Sequence, residues 1–132
     1  MEIKISVENG RVPVTIMHVN GNIDSTSYEA FQSKAQELIK GGITYILVDL
    51  SQVPFVGSAG LRAIHSILSQ LRLLHPDIGE AEMRKAMSAG TYKSPHLKLL
   101  NPSKEVQNVL SMGGFDLYIE IHTDLKIAIA SF

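Results

Sequence analysis

Residues 45–50 read Tyr-Ile-Leu-Val-Asp-Leu, a nearly unbroken apolar run. A strand with apolar side chains at consecutive positions is buried on both faces, and such strands belong to parallel sheets covered by helices. The run therefore demands a layer on either side of it, and the neighbouring segments read as those layers. Tyr28, Phe31, Ala35, Leu38 and Ile39 form one helical stripe over residues 26–40, with Glu29, Gln32, Lys34 and Glu37 turned away. Asp24 or Ser25 is the natural N-cap of that helix, and Gly41-Gly42 stops it. After Gly57-Ser58-Ala59-Gly60 a second helix turns Leu61, Ile64, Ile67, Leu68 and Leu71 inward. Arg62, His65, Ser66, Ser69 and Gln70 face outward.

The rest of the chain fits the same plan. Residues 2–8 alternate, and Asn9-Gly10 is a dipeptide that tolerates positive φ in a tight hairpin. Val12, Val14 and Ile16 share a face of the next strand, where Pro13 cannot donate to a ladder and predicts an edge or a bulge. Residues 75–95 hold prolines and glycines and read as an extended connection leaving the core, with Met83 and Met87 spaced for a short helix. A strand over 96–100 leads into Asn101-Pro102-Ser103, a helix start with proline in the first turn. That helix points Val106, Val109 and Leu110 inward and ends at Gly113-Gly114. Residues 116–121 alternate as a last strand. The tail fits period two through Leu125, Ile127 and Ile129, or a helix capped at Thr123-Asp124. The order is β-β-α-β-α-β-α-β plus a C-terminal tail or helix. It predicts an α/β fold, one domain over 1–132, around a mixed sheet of about five strands.

Composition narrows the function classes. The 132 residues carry a net charge of −1, without the basic surplus that a nucleic-acid binder needs. Cysteine is absent, which removes disulfides, thiolate metal sites and thiol catalysis. No apolar run reaches the ~18 residues of a membrane span, and the N-terminus lacks the regions of a secretion signal. A cytoplasmic protein is expected, with neither nucleic acid nor membrane as a direct partner.

Ser58 is the residue that calls for a role. At a strand-to-helix junction a serine can cap the helix, and residue type alone favours that reading. It leaves unexplained why Gly57, Ala59 and Gly60 surround it, as if to keep the hydroxyl open to another surface. A nucleophile elbow needs glycine two residues before and two after the serine. Val56 stands at the first position and only Gly60 fits. His65 is near in sequence, with no evident acid to orient it. His18, His75, His96 and His122 are scattered and read as surface or strand-end residues, and no metal-ligand spacing appears. No phosphate loop is present, since the required lysine is missing. The third role is phosphoacceptor: a phosphate on Ser58 would face free N–H groups and the positive end of the helix dipole, with Arg62 one turn on.

Val19-Asn20-Gly21-Asn22-Ile23-Asp24, residues 45–61 and residues 96–115 together resemble the STAS domains of the anti-sigma factor antagonist family. The resemblance covers nearly the whole chain apart from 75–95. It implies a STAS fold without an enzyme's active site, cofactor or metal. It also implies a place in a partner-switching circuit. Such a protein binds an ATP-using anti-sigma factor serine kinase and so frees the sigma factor. It releases the kinase once phosphorylated at the start of the second helix, and a serine phosphatase resets it.

The family pattern there is Asp, the acceptor, usually Ser or Thr, then Gly. Ser58 takes the acceptor position and Gly60 the glycine. Gly57 stands where the family has Asp, and Ala59 where a second hydroxyl is common. Asp24 matches the family's acid before the first helix. The partner-binding set implied is Gly57, Ser58, Ala59, Arg62, His65 and Asp24. The alternative is a STAS scaffold or sensor module that is never phosphorylated and binds a partner or small ligand, or assembles as a homo-oligomer; Gly57 in place of Asp is its support.

Overall fold

The computed structural model describes residues 1–76, 79–90 and 92–132. Its sheet holds β1 (Glu2–Asn9), β2 (Pro13–Asn20), β3 (Ile46–Gln52), β4 (Leu97–Leu100) and β5 (Ile121–His122), side by side in that order. β1 runs antiparallel to β2, and the remaining neighbours are parallel. The helices are α1 (Tyr28–Lys40), α2 (Ser58–Leu74), α3 (Glu80–Ser88), α4 (Lys104–Met112) and α5 (Leu125–Ser131), with a 3-10 turn at Phe115–Leu117. The mixed five-stranded α/β architecture is the one expected from the sequence.

β3 lies at the centre because its two faces serve two cores. Ile46, Val48 and Leu50 meet Phe31, Ala35 and Ile39 of α1 and Ile64, Ile67, Leu68 and Leu71 of α2. Leu47 points the other way, into a smaller cluster with Val14, Ile16, Leu100 and Ala128. Burying a side chain of this size contributes about 1.5–3 kcal/mol, so these two clusters carry most of the fold's stability. The tail that covers the smaller cluster is helical: the Asp124 carboxylate accepts from the Ile127 N–H at 3.0 Å and caps α5.

Several expectations give way to local physics. Gly10 does not adopt positive φ, and a three-residue connection joins β1 to β2. A Cβ on Gly10 would lie 2.8 Å from Ile129 Cγ2, so the glycine serves the close approach of α5. β2 is an interior strand. Pro13 is its first residue, ahead of the β3 pairing that begins at Thr15, and the irregularity falls between His18 and Asn20. Neither Asp24 nor Ser25 is the N-cap of α1. Ser27 holds that position without a side-chain capping bond, and the Asp24 carboxylate closes the preceding turn by accepting from the Thr26 N–H at 2.9 Å.

Pro102 precedes the cap of α4 instead of entering its first turn; Ser103 Oγ accepts from the Val106 N–H at 3.2 Å. The strand expected at 116–121 shrinks to Ile121–His122. Four-residue β4 offers β5 only two partners, while Ile119 N–H bonds back to the Phe115 carbonyl. The expected excursion over 75–95 includes positions 77, 78 and 91, which lie outside the described residues. Its described part forms α3, with Met83 buried and Met87 half-buried. His96, expected at the surface or a strand end, stands directly before β4 and is buried, its ring 5.4 Å from those of Tyr45 and His75.

Candidate functional site

The junction from β3 to α2 is built against the loop that follows β2. Val56 pairs in parallel with Ile23, the Ile23 N–H donates to the Phe55 carbonyl at 3.0 Å, and the Gly57 N–H donates to the Ile23 carbonyl at 2.9 Å. This short zipper fixes where α2 begins. Gly57 is the N-cap, in extended conformation (φ −89°, ψ −178°), and has no side chain with which to cap. Ser58 is the first helical residue, so the capping role that its residue type suggested is not the one it has.

Gly60 is buried, and a Cβ there would sit 2.5 Å from the Ile23 carbonyl oxygen and 2.9 Å from Val56 Cγ1. Ala59 is 6% exposed. These two small residues let the helix dock on the Ile23 loop; they do not clear space for a visitor. That leaves Ser58 exposed on one side of the turn, with no hydrogen-bond partner for its hydroxyl among the described residues.

Ser58, Leu61, Arg62 and His65 of α2 line an open depression of about 560 Å³, closed on its far side by Phe115 from the 3-10 turn after α4. Arg62 and His65 are exposed and make no ion pair or hydrogen bond among the described residues. The first turn of the 17-residue α2 contains no acidic side chain. The Leu61 N–H is bonded to the Gly57 carbonyl, so the N–H groups of Ser58, Ala59 and Gly60 lie at the open, positive end of the helix.

Asp24 sits beside this end, its Cα 3.9 Å from where a Cβ of residue 57 would be. Its carboxylate accepts from the Thr26 hydroxyl at 2.7 Å and the Thr26 N–H, and these bonds, with those from Ser27, hold its pKa below the ordinary 3.8. The carboxylate is thus committed to its own turn.

The chemistry available is that of an anion site with a hydroxyl at its edge: positive helix end, guanidinium and imidazole around Ser58, with no carboxylate among the described residues orienting His65 as a base. Among the described residues no group of three His, Asp or Glu could hold a metal ion. No described helix is long and apolar enough to cross a membrane. Sequence reasoning placed Ser58, Arg62 and His65 together, assigned Leu61 to the core alone, and missed Phe115. The aromatic comes from 57 residues further along the chain, and only the packing of α4 brings it near.

A family model described as the STAS domain matches residues 5–75, more than half of the chain. No curated protein matches it. Among solved structures, a candidate anti-sigma factor antagonist from Thermotoga maritima superposes with a TM-score of 0.72 at 20% identity, over 96% of this chain and 91% of that one. An anti-sigma factor antagonist from Mycobacterium paratuberculosis gives 0.69 at 18% identity, over 98% and 93%. The phosphorylated form of the Bacillus cell fate determinant SpoIIAA gives 0.63 at 16% identity, over 97% and 96%. At these identities the likeness is one of fold.

Proposed function

This chain belongs to the STAS domain family, and from that premise we propose that it acts as an anti-sigma factor antagonist whose docking is switched off by phosphorylation of Ser58. The observation that carries the reading is the state of Ser58: exposed, its hydroxyl without a partner among the described residues, and first in a 17-residue helix beside Arg62 and His65. A partner that lays a surface over the depression meets Ser58, Arg62, His65 and Phe115, with Gly57 and Asp24 at the margin. Ala59, being buried, contributes packing beneath them.

The partner is an ATP-using anti-sigma factor serine kinase. Transfer of its phosphoryl group to Ser58 adds a charge of about −1.5 to −2, over which the helix end and Arg62 can close. The added charge and bulk change the docking surface while the buried contacts of Gly60 and Ala59 stay as they are. The kinase then leaves, and a serine phosphatase restores the hydroxyl. SpoIIAA, similar to this chain in fold, has been solved in both an unphosphorylated and a phosphorylated form, which supports a switch of this kind on this scaffold.

The test uses three baits, wild type, Ser58→Ala and Ser58→Asp, on lysate from cells that encode the chain, with phosphopeptide mapping of the recovered wild type. An ATP-binding serine kinase retained by wild type and Ser58→Ala, and lost with Ser58→Asp, supports the switch. Identical partners on all three baits, with no phosphate on Ser58, would leave a constitutive STAS interaction module, the reading that Gly57 favours.

A further inference from the structure

Ser6 of β1, His18 of β2 and Asp49 of β3 lie side by side across three adjacent strands, on the sheet face that carries α5 and away from α1 and α2. Ser6 Oγ is 2.8 Å from His18 Nε2, and His18 Nδ1 is 3.0 Å from Asp49 Oδ2. The second Asp49 oxygen accepts from the Ser51 N–H at 3.0 Å, which fixes the carboxylate's orientation. Burial pushes the Asp49 carboxyl up, but the hydrogen bonds from Ser51 and His18 outweigh it and hold the pKa below the ordinary 3.8. An ionised carboxylate only accepts, so His18 Nδ1 must carry the proton. In the neutral ring Nε2 is then the acceptor, and the Ser6 hydroxyl donates to it.

These are the three roles of nucleophile, general base and orienting acid, recognised by geometry and not by position in the chain. We propose that Ser6, His18 and Asp49 form a nucleophilic serine site that accepts small activated carboxylic esters. The site is open: the side chain of His18 is 39% exposed and that of Asp49 18%. A depression of about 260 Å³, lined by Glu2, Lys4, His18, Asn20, Asp49 and Gln52, lies on the other side of His18 from Ser6. The ester carbonyl therefore meets Ser6 Oγ outside it, and only a small group of the ester can reach past Lys4 into it.

Ser6 Oγ attacks the ester carbonyl as its proton passes to His18 Nε2. The carbonyl π bond opens onto oxygen, and the Lys4 ammonium, two residues from Ser6 on the same face of β1, is the N–H donor that can turn towards it. Lys4 stands directly opposite His18 in the β1–β2 register. Its pairing with Glu2 at 3.5 Å is between largely exposed side chains and leaves it able to turn. The ester C–O bond then breaks, and the leaving oxygen takes the proton from His18. Water repeats the sequence on the acyl serine, giving carboxylic acid and regenerated Ser6. Donors on flexible side chains stabilise an oxyanion less than preset backbone N–H groups do, which restricts the site to esters with good leaving groups.

The experiment treats the full chain with a fluorophosphonate, which forms a Ser Oγ–P bond as the P–F bond breaks and fluoride leaves. Labelling is mapped by tryptic digestion, Ser6 falling in the peptide of residues 5–11. Labelling is expected on Ser6, at least about tenfold slower in His18→Gln and in the isosteric Asp49→Asn, and unchanged by Ser33→Ala on the exposed side of α1. A burst of p-nitrophenolate from p-nitrophenyl acetate is expected in wild type and absent in Ser6→Ala. Circular dichroism verifies that each variant is folded. No label on Ser6, or equal labelling rates in wild type and Asp49→Asn, overturns the proposal.

Discussion

Gly57 and Gly60 are three residues apart, and their surroundings give opposite answers to substitution. A Cβ on Gly60 falls within 2.5 Å of a backbone carbonyl oxygen held in the Ile23–Gly57 zipper, which cannot move without undoing that zipper. Gly60→Ala is expected to destabilise by about 1–3 kcal/mol, the range of an overpacked core. A Cβ on Gly57 meets the Phe55 ring at 3.3 Å and Asp24 Cα at an ordinary contact distance of 3.9 Å, and Phe55 is half-exposed and able to turn away. Its φ of −89° suits any residue, so Gly57→Asp is expected to fold and to gain a few tenths of a kcal/mol as an N-cap. Urea denaturation of the two variants checks both signs; a tolerated Gly60→Ala would mean that the zipper does not fix the start of α2. The small residues were legible in the sequence, but not their division of labour. Gly60 and Ala59 face the core and Ser58 faces out because Val56 pairs with Ile23, and that pairing of two loops 33 residues apart leaves no periodic trace. The Ser6, His18 and Asp49 trio was hidden for the same reason: three strands must be aligned before the side chains meet.

At the level of the elements, α5 shows how a capping residue settles what periodicity leaves open. Leu125, Ile127 and Ile129 alternate as a strand would, yet Ile127 is 62% exposed and Ala128 fully buried, a helical arrangement set by the Asp124 cap. The far end of α5 is held by charge. Lys98, 2% exposed on β4, donates to the Ser131 carbonyl at 2.7 Å and to its hydroxyl at 3.0 Å, and pairs with Glu120 at 3.0 Å. Burial pushes the Glu120 carboxyl up, but the hydrogen bond and charge of Lys98, aided by His122, bring it below the ordinary 4.5. The unfolded chain therefore takes up this proton first on acidification. The stabilisation is complete above about pH 4.5 and is lost as pH falls through the lower native value. Glu120→Gln is expected to cost about 1–2 kcal/mol at neutral pH, less than a fully buried pair because Glu120 is 36% exposed. The cost should shrink as pH falls from about 4.5 through the lower native value, read from urea midpoints across the pH range. A deficit that does not change with pH would place the effect in packing.

For the molecule as a whole, the consequential fact is that one sheet serves two unequal cores and that the Ser58 face depends on only one of them. The central apolar run over 45–50 demanded cover on both faces, and that much of the architecture was legible. It could not say that the second cover would come from the last seven-residue helix. Ending the chain after Thr123 removes Ala128, Ile129 and Phe132 from the cluster of Val14, Ile16, Leu47 and Leu100, and takes the Ser131 acceptors from Lys98. The loss should be at least about 3 kcal/mol, a large part of the 5–15 kcal/mol that holds a typical domain together. The main core, with α1, α2 and the Ile23 zipper, loses no contact in that cluster. The truncated chain is therefore expected to unfold at a clearly lower urea concentration, while its folded fraction binds the proposed kinase partner within about twofold of wild type and, on the proposed switch, still discriminates Ser58→Asp. Binding measured at a temperature where the truncated chain is folded by circular dichroism separates the two effects. If the folded truncated chain fails to bind, α5 is part of the docking surface or transmits strain through β3 to α2, and the two cores are not energetically separate.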